Sequence, residues 1–284
     1  MFDQITVVIV IYDSTDLIFK CLKNLNNFHI IIVDNGKNEK ILPKFKKFKN
    51  IKIISKNKNL GYGLAVNYAR TQINTKYFLT ISPDLIIDEK SIKELFITSE
   101  KYNNCAVTAP NLQTEKNSYG IFPEKRNIYE KNKGKIKNSN IFSDILPSGE
   151  LCVDTTNGCA MLINSNYFDI VGKFSDQYFL FWEEIDLCRR FNQKKLSVII
   201  NFKATANHVG GGSSKFKIST FFARSYHSEI SPLYYFRVKK NSPHLYKNMF
   251  KYLFRSFSYL LILNLKNSLK NIAKLFANIS FILK

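Results

Sequence analysis

Acids are what this chain runs short of: 22 Asp+Glu stand against 42 Lys+Arg, a formal net charge of +20. None follows Glu229, although ten basic residues lie between Arg237 and Lys284. Such an imbalance points to an anionic partner, whether nucleic acid, a membrane surface or a phosphorylated substrate. The five cysteines, Cys21, Cys105, Cys152, Cys159 and Cys188, are odd in number and show no CxxC spacing. That argues against a disulfide scaffold or a zinc site and for reduced thiols in a cytosolic compartment. No basic residue precedes the first apolar run, so no secretory signal is expected. No window reaches the roughly 18–20 apolar residues of a spanning helix; the best, 257–265, is about half as long. What is plentiful is core material: 45% hydrophobic and 14% aromatic residues exclude a disordered chain. A length of 284 residues allows one large domain or two small ones.

Residues 5–12 form a continuous, largely β-branched run of the kind buried on both faces of a sheet. A helix is expected from Asp13-Ser14 through Leu25, then strands at 29–33, 51–55 and 77–81, with a helix over 64–72 between the last two. A helix at 91–102 and a strand at 106–110 continue the rhythm. Alternation of this kind implies a parallel sheet with right-handed crossovers, whose ligands bind beyond the carboxyl ends of the strands. Asp13, Asp34-Asn35 and Asp84 fall at those ends. Residues 111–149, rich in Lys and Asn, read as a long irregular excursion. The chain then resumes with a strand around Thr155-Thr156-Asn157-Gly158, a short helix at 165–171, two strands at 197–201 and 204–208, and a glycine loop, Gly210-Gly211-Gly212-Ser213-Ser214. Helical patterning covers 219–240 and again 245 to the end.

The segment Phe179-Leu180-Phe181-Trp182-Glu183-Glu184-Ile185-Asp186-Leu187-Cys188-Arg189-Arg190 sets three carboxylates and two guanidiniums in greasy surroundings. Its first four residues read as a buried approach and the remainder as the opening turns of a helix, with acids at the positive end. At helical pitch Asp186 meets Arg189 and Arg190, a structural ion pair, while Glu184 points elsewhere. An ordinary helix start with acids complementing the dipole is the plainer alternative.

The order of Val33-Asp34-Asn35, Asn59-Leu60-Gly61-Tyr62-Gly63-Leu64-Ala65-Val66-Asn67, Ser82-Pro83-Asp84, Trp182-Glu183-Glu184-Ile185-Asp186-Leu187-Cys188-Arg189-Arg190 and His208-Val209-Gly210-Gly211 resembles the inverting family 2 glycosyltransferases. It most resembles their bacterial rhamnosyltransferase-like branch, which builds surface polysaccharides, and the likeness covers roughly residues 5–240. The resemblance implies a GT-A fold, an α/β architecture with a Rossmann-like, mostly parallel sheet. It further implies a nucleotide-diphosphate sugar donor, Mg²⁺ or Mn²⁺, and direct displacement at the anomeric carbon. On it, Asp34, Asn59, Gly61, Gly63, Asn67 and Asp84 are donor-binding, Asp84 and His208 hold the metal, Glu184 is the catalytic base, and Trp182 and Glu183 lie on the acceptor side. Two departures stand out: Ser82 occupies a position where the branch usually has Asn, and Glu184 one where Asp is commoner.

The residues themselves allow these roles. A carboxylate closing a buried strand, as Asp34 does, can accept hydrogen bonds from a nucleobase or ribose, or simply form a turn. Gly61 and Gly63 before a helix N-terminus suit phosphate, or an ordinary loop. Pro83 drives an extended exit from its strand, so that Asp84 projects past the sheet edge as a metal ligand, helix cap or turn residue. A sugar hydroxyl is a poor nucleophile, and a positioned carboxylate is the simplest remedy. Trp182 offers a platform for a sugar ring or a packed core side chain.

Residues 1–240 are therefore expected to be the catalytic domain and 241–284 a basic amphipathic helical tail. Lys247, Lys251, Arg255, Lys266, Lys270 and Lys274 drift round one broad face of that tail, and Phe250, Leu253, Phe254, Phe257, Leu260, Leu261, Leu275 and Phe276 fill much of the rest. It reads as an interfacial element on the inner face of the cell membrane, or as a helix packed on the domain or in an oligomer. The acceptor expected is a glycan or a polyprenyl-linked glycan, with no nucleic acid. A sugar nucleotidyltransferase is disfavoured because Asp13-Ser14-Thr15 follows the first strand where a glycine-rich, Arg/Lys-bearing loop would stand. A non-enzymatic RNA- or lipid-binding protein would leave the acids at the strand ends without a purpose.

Overall fold

In the computed structural model, residues 1–36, 38–114, 119–124, 148–209 and 217–284 are described. The glycine loop at 210–214 and most of the 111–149 excursion lie outside them. The first half alternates as its β-branched runs dictate: β1 (Ile5–Ile11), α1 (Ile18–Leu22), β2 (His29–Asp34), β3 (Ile51–Ser55), α2 (Tyr62–Arg70), β4 (Tyr77–Ile81), β5 (Leu85–Ile87), α3 (Glu89–Lys101) and β6 (Cys105–Leu112). Then come β7 (Tyr119–Gly120), β8 (Glu150–Val153), β9 (Thr155–Thr156), β10 (Ala160–Asn164), α4 (Ser165–Ile170), α5 (Glu183–Gln193) and β11 (Ser197–His208). Three helices close the chain: α6 (Ile218–Tyr235), α7 (Pro243–Leu261) and α8 (Leu265–Leu283).

The main sheet runs β3-β2-β1-β4-β10-β6-β11-β5, with β8 also paired to β11. β1 pairs in parallel with β2 and β4, and β2 in parallel with β3. The sheet is mostly parallel on the β3-β2-β1-β4 side, as expected, and mixed beyond β4, where β10 enters antiparallel between β4 and β6. The chain reaches β10 only after the long excursion and returns through the sheet in the opposite direction, which the strand-helix rhythm of the first half does not foretell.

Apolar faces on both sides of the sheet explain why β1 lacks alternation. Ile5, Val7, Ile9 and Ile11 pack with Ile18 and Leu22 of α1 and with Ile92 and Leu95 of α3. Val8 faces the other side with Ala65, Val66 and Ala69 of α2, Phe168 of α4, and Leu187 and Phe191 of α5. Each such buried side chain contributes about 1.5–3 kcal/mol by leaving water.

Three local expectations change. The first helix shrinks to Ile18–Leu22 because Asp13 takes a left-handed conformation (φ 49°) and the Ser14 amide is drawn to Asn38 Oδ1 at 3.0 Å. The two expected strands at 197–208 are one strand, with an irregularity between Asn201 and Thr205. There Asn201 Oδ1 takes the Lys203 amide at 2.8 Å and its Nδ2 donates to Thr98 Oγ1 at 2.9 Å. The tail helix breaks at 262–264, where Leu263 is left-handed (φ 56°) and Asn264 caps α8 through the Asn267 amide.

That break turns the tail into a hairpin docked on α6. Ile230 and Leu233 of α6 pack with Leu245 of α7 and with Ala277 and Phe281 of α8. At the centre sits Glu229, the last acid of the chain, receiving hydrogen bonds from Tyr252 (2.8 Å), Lys274 (3.3 Å) and Asn278 (3.3 Å). Burial of Tyr252 pushes its hydroxyl pKa upward, helped by that hydrogen bond and by the carboxylate's charge. Removing the acceptor strands two buried donors, Tyr252 and Asn278, and the partly exposed Lys274, so Glu229→Ala should lower unfolding stability by about 2–3 kcal/mol in urea titration.

Candidate active site

A pocket of about 360 Å³ opens over the carboxyl ends of β1, β2 and β4. Tyr12, Ser14 and Asn35 line it from the ends of β1 and β2, Ser82 and Pro83 from the end of β4, and Asn59, Gly61 and Tyr62 from the approach to α2. Phe179 and Leu180 form another wall, and Ser219, Thr220, Ala223 and Arg224 of α6 cover it. A second cavity of about 330 Å³ adjoins it at Ser14 and is lined by Asp13, Asn38, Ile41 and Lys217.

The loop before α2 is fixed by Asn35, whose buried amide donates to the Gly61 carbonyl (2.9 Å) and accepts from the Leu60 amide (3.3 Å). Gly61 has φ +77°, and a Cβ there would lie 2.2 Å from the Phe179 carbonyl oxygen. The first amide of α2, on Tyr62, donates to that same oxygen at 3.1 Å. One amide of this helix N-terminus is therefore engaged by a backbone carbonyl, while Asn59 and Gly61 still line the pocket. Gly63 lies under the Phe174 side chain, whose Cβ would be 2.9 Å from an added Cβ. Asn67, expected at the donor site, instead brackets Phe174, donating to its carbonyl (2.8 Å) and accepting from its amide (3.0 Å). Asp34 spends Oδ1 locally on the Gly36 amide (2.8 Å) and the Asn38 side chain, the turn-forming alternative.

Asp84 lies between the end of β4 and the start of β5. Its carboxylate is 1% exposed and its Oδ1 stands 3.3 Å from His208 Nε2 at the end of β11. The pairing of β5 with β11 matches His208 to Leu85, which brings the two side chains together. A carboxylate oxygen and an imidazole nitrogen held this close form a donor set that would suit Mg²⁺ or Mn²⁺. Among the described residues no group of three or more His, Cys, Asp or Glu is gathered as a full cage.

The acid segment opens on two consecutive bulky residues in left-handed backbone, Phe181 (φ 66°) and Trp182 (φ 71°). Such conformations cost of order 1–3 kcal/mol each and persist only where packing imposes them. Here it does: Phe179 stacks on His227 of α6 at 4.7 Å, Ser231 of α6 donates to the Leu180 carbonyl at 2.9 Å, and Trp182 packs on Tyr235 (5.0 Å) and Phe236 (5.5 Å). Trp182 is therefore a partly buried packing residue as well as a neighbour of the acids. Burial, with Lys284 nearby, lowers the His227 pKa to about 4 and keeps that ring neutral.

Beyond the turn, Glu183 points inward and is buried, which corrects its place on the acceptor side. Its Oε2 finds no hydrogen-bond partner among the described residues. Burial, then the charge of Glu184, raise its pKa well above the usual carboxylate range. Glu184 is only partly buried and packs on Gly158, where an added Cβ would meet its Cβ at 3.3 Å. Desolvation raises its pKa too. Tyr62, from the pocket wall, donates to the Gly158 carbonyl at 3.0 Å, and the Ser82 amide donates to the next carbonyl, Cys159, at 2.8 Å. The turn at 157–159 therefore joins the acid pair to the Asp84 loop. Asp186 pairs with Arg190 at 2.8 Å as expected, and Arg190 also holds the carbonyls of Val171 and Lys173. Arg189 is corrected: it leaves Asp186 for Glu124 (3.8 Å) and the Tyr235 ring (5.0 Å).

Residues 6–149 match the family model described as glycosyl transferase family 2. The chain belongs to that family. The low-salt glycan biosynthesis hexosyltransferase Agl10 of Haloferax volcanii is 25% identical over 206 residues, covering 70% of this chain and 64% of that protein. Among solved structures, GalNAc-T7 with UDP, GalNAc and Mn²⁺ superposes with a TM-score of 0.56 at 11% identity, over 80% of this chain and 47% of that one. The mannosyltransferase PcManGT from Pyrobaculum calidifontis, in complex with GDP-Man and Mn²⁺, gives 0.56 at 11% identity over 98% and 73%. The chain thus spans under two thirds of the Haloferax relative and about half of GalNAc-T7. These likenesses establish the fold of the family 2 chain as GT-A.

The two glycines with positive φ near the pocket offer a test of the geometry. Gly36 (φ +104°) has open space where a Cβ would go, whereas Gly61 faces the Phe179 carbonyl. Gly36→Ala should cost only the left-handed penalty of about 1–2 kcal/mol. Gly61→Ala should cost about 1–3 kcal/mol more, measured by chemical unfolding, because backbone must shift.

Proposed function

We propose that this family 2 protein is a metal-dependent, inverting glycosyltransferase that moves a sugar from a nucleoside diphosphate to a glycan or polyprenyl-linked glycan acceptor in surface polysaccharide synthesis. The observation that carries the reading is the pairing of the buried Asp84 carboxylate with His208, joined through the 157–159 turn to the raised-pKa acids Glu183 and Glu184. The donor sits over the strand ends, with Asn59 and Gly61 along its edge and Asp34 holding the turn beside it. Asp84 and His208 would hold Mg²⁺ or Mn²⁺, which when bound neutralises charge developing on the diphosphate. Glu184 accepts the proton of the acceptor hydroxyl as its oxygen bonds to the anomeric carbon. The bond from that carbon to the diphosphate oxygen breaks on the opposite face, giving inversion. The Haloferax relative, a hexosyltransferase, favours a hexosyl donor, and the rhamnosyltransferase-like motif order makes rhamnose our first choice, with galactofuranose next. The acid-free tail supports a peripheral position on the inner face of the cell membrane, where lipid-linked acceptors are found.

Asp84→Asn should weaken donor binding and turnover together and blunt the response to Mn²⁺, read by calorimetry and a transfer assay. Wild-type metal dependence in that variant would move the site elsewhere. Glu184→Gln should leave nucleotide affinity near normal while kcat falls about 10²-fold or more. Because its pKa is raised, the base form is lost as pH falls, so the acid limb of the wild-type kcat profile should begin above the ordinary carboxylate range. Loss of donor affinity with kcat intact would remove Glu184 from the role.

A further inference from the structure

The helical hairpin leaves one face uncovered. On α7, Leu245, Tyr252 and Ser256 point into the bundle. About a third of a turn away lies an exposed apolar sector that includes Phe250 (79% exposed), Phe254 (70%), Phe257 (59%) and Leu261 (69%). It continues over the break into Ile262 (68%) and Leu263 (83%). The remaining sector carries Lys247, Lys251 and Arg255, all exposed. Buried, apolar and basic sectors thus divide one helix between them. Contiguous apolar surface of this extent marks a docking face.

We propose that this face of α7, with the turn after it, lies in the interface of an anionic lipid bilayer, the phenylalanines among the acyl chains and the three bases against the headgroups, while α8 serves as the strut joining it to α6. Charge singles out this occupant. A twofold contact between copies sets the same tail against itself, bringing Lys247, Lys251 and Arg255 toward their equivalents with no acid after Glu229 to offset them. Anionic headgroups supply the missing charge, at about 1 kcal/mol per base. The helix lies on the surface and does not span, since no helix among the described residues is long and apolar enough to cross. This deepens the peripheral position proposed above and assigns it to one face; the docking of α8 on Glu229 means that deleting the whole tail would also unseat α6 from the pocket it covers.

Point substitutions on the exposed face are therefore the right test, with full-length protein floated on phosphatidylcholine vesicles with and without phosphatidylglycerol. Wild type should float only with phosphatidylglycerol present. Phe250→Glu/Phe254→Glu/Phe257→Glu should lose binding about tenfold or more at every ionic strength, whereas Lys247→Glu/Lys251→Glu/Arg255→Glu should lose the preference for anionic lipid and the sensitivity to salt. Both variants should keep the wild-type melting temperature and nucleotide affinity. The surface is overturned if wild type ignores the vesicles, if both variants float as wild type does, or if sedimentation shows a wild-type dimer that the phenylalanine variant dissolves. Transfer to a soluble acceptor, measured in parallel, separates the two ideas: absent turnover with intact flotation removes the transferase reading and leaves the surface standing.

Discussion

Much of this molecule depends on a turn that its own residues disfavour. Phe181 and Trp182 sit in left-handed backbone immediately before Glu183, and nothing in their chemistry prefers that conformation. The Tyr62 amide takes the Phe179 carbonyl from one side. From the other, α6 supplies the His227 ring, the Ser231 hydroxyl and the Tyr235 ring. Gly61 is required because no Cβ fits where that carbonyl lands. One turn thereby fixes the pocket wall at Phe179 and Leu180 and aims two neighbouring acids in different directions.

The acids illustrate what such placement costs. Both have raised pKa values in the folded protein, so below the ordinary carboxylate range they carry no penalty, and stability drains as pH rises through the raised values. A buried Glu183 with an oxygen lacking a partner among the described residues is a poor choice for stability alone. Its charge also helps push up the Tyr62 hydroxyl, which already has desolvation against ionisation. Desolvation thus raises both carboxylates, and a carboxylate raised in this way, once ionised, is a stronger proton acceptor than an ordinary one.

The strand ends were legible in the sequence because β-branched runs stop abruptly at polar turns, and β3 and β4 begin and end where those runs do. Asp84 and His208 were legible as motif residues, and the antiparallel β5 that unites them was not, since Leu85-Ile86-Ile87 is too short to signal itself. The packing of Gly63 and Asn67 on Phe174 could not be read from the sequence: glycine before a helix suits a phosphate and a packed aromatic equally, and Phe174 lies more than a hundred residues away. The pocket residues on α6 had no signal beyond helical periodicity. Asn35 could have been found, lying next to Asp34 at a strand end.

Helix α6 also makes the proposed division between a catalytic domain and a tail an incomplete description. Its first residue is preceded by Lys217, which reaches back to Asp13 at 2.7 Å. Its next turns cover the pocket, its middle bears on Phe179 and Leu180, and Glu229 with Ile230 and Leu233 receives the hairpin. A helix of 18 residues, about 27 Å long, thus links the Asp13 end of the pocket, the Phe179-Leu180 wall and the hairpin in sequence. Displacing the hairpin would expose Glu229 and its apolar neighbours to water and loosen the clamp on the left-handed turn. A surface that holds the hairpin in place therefore acts on the same element that holds the acids.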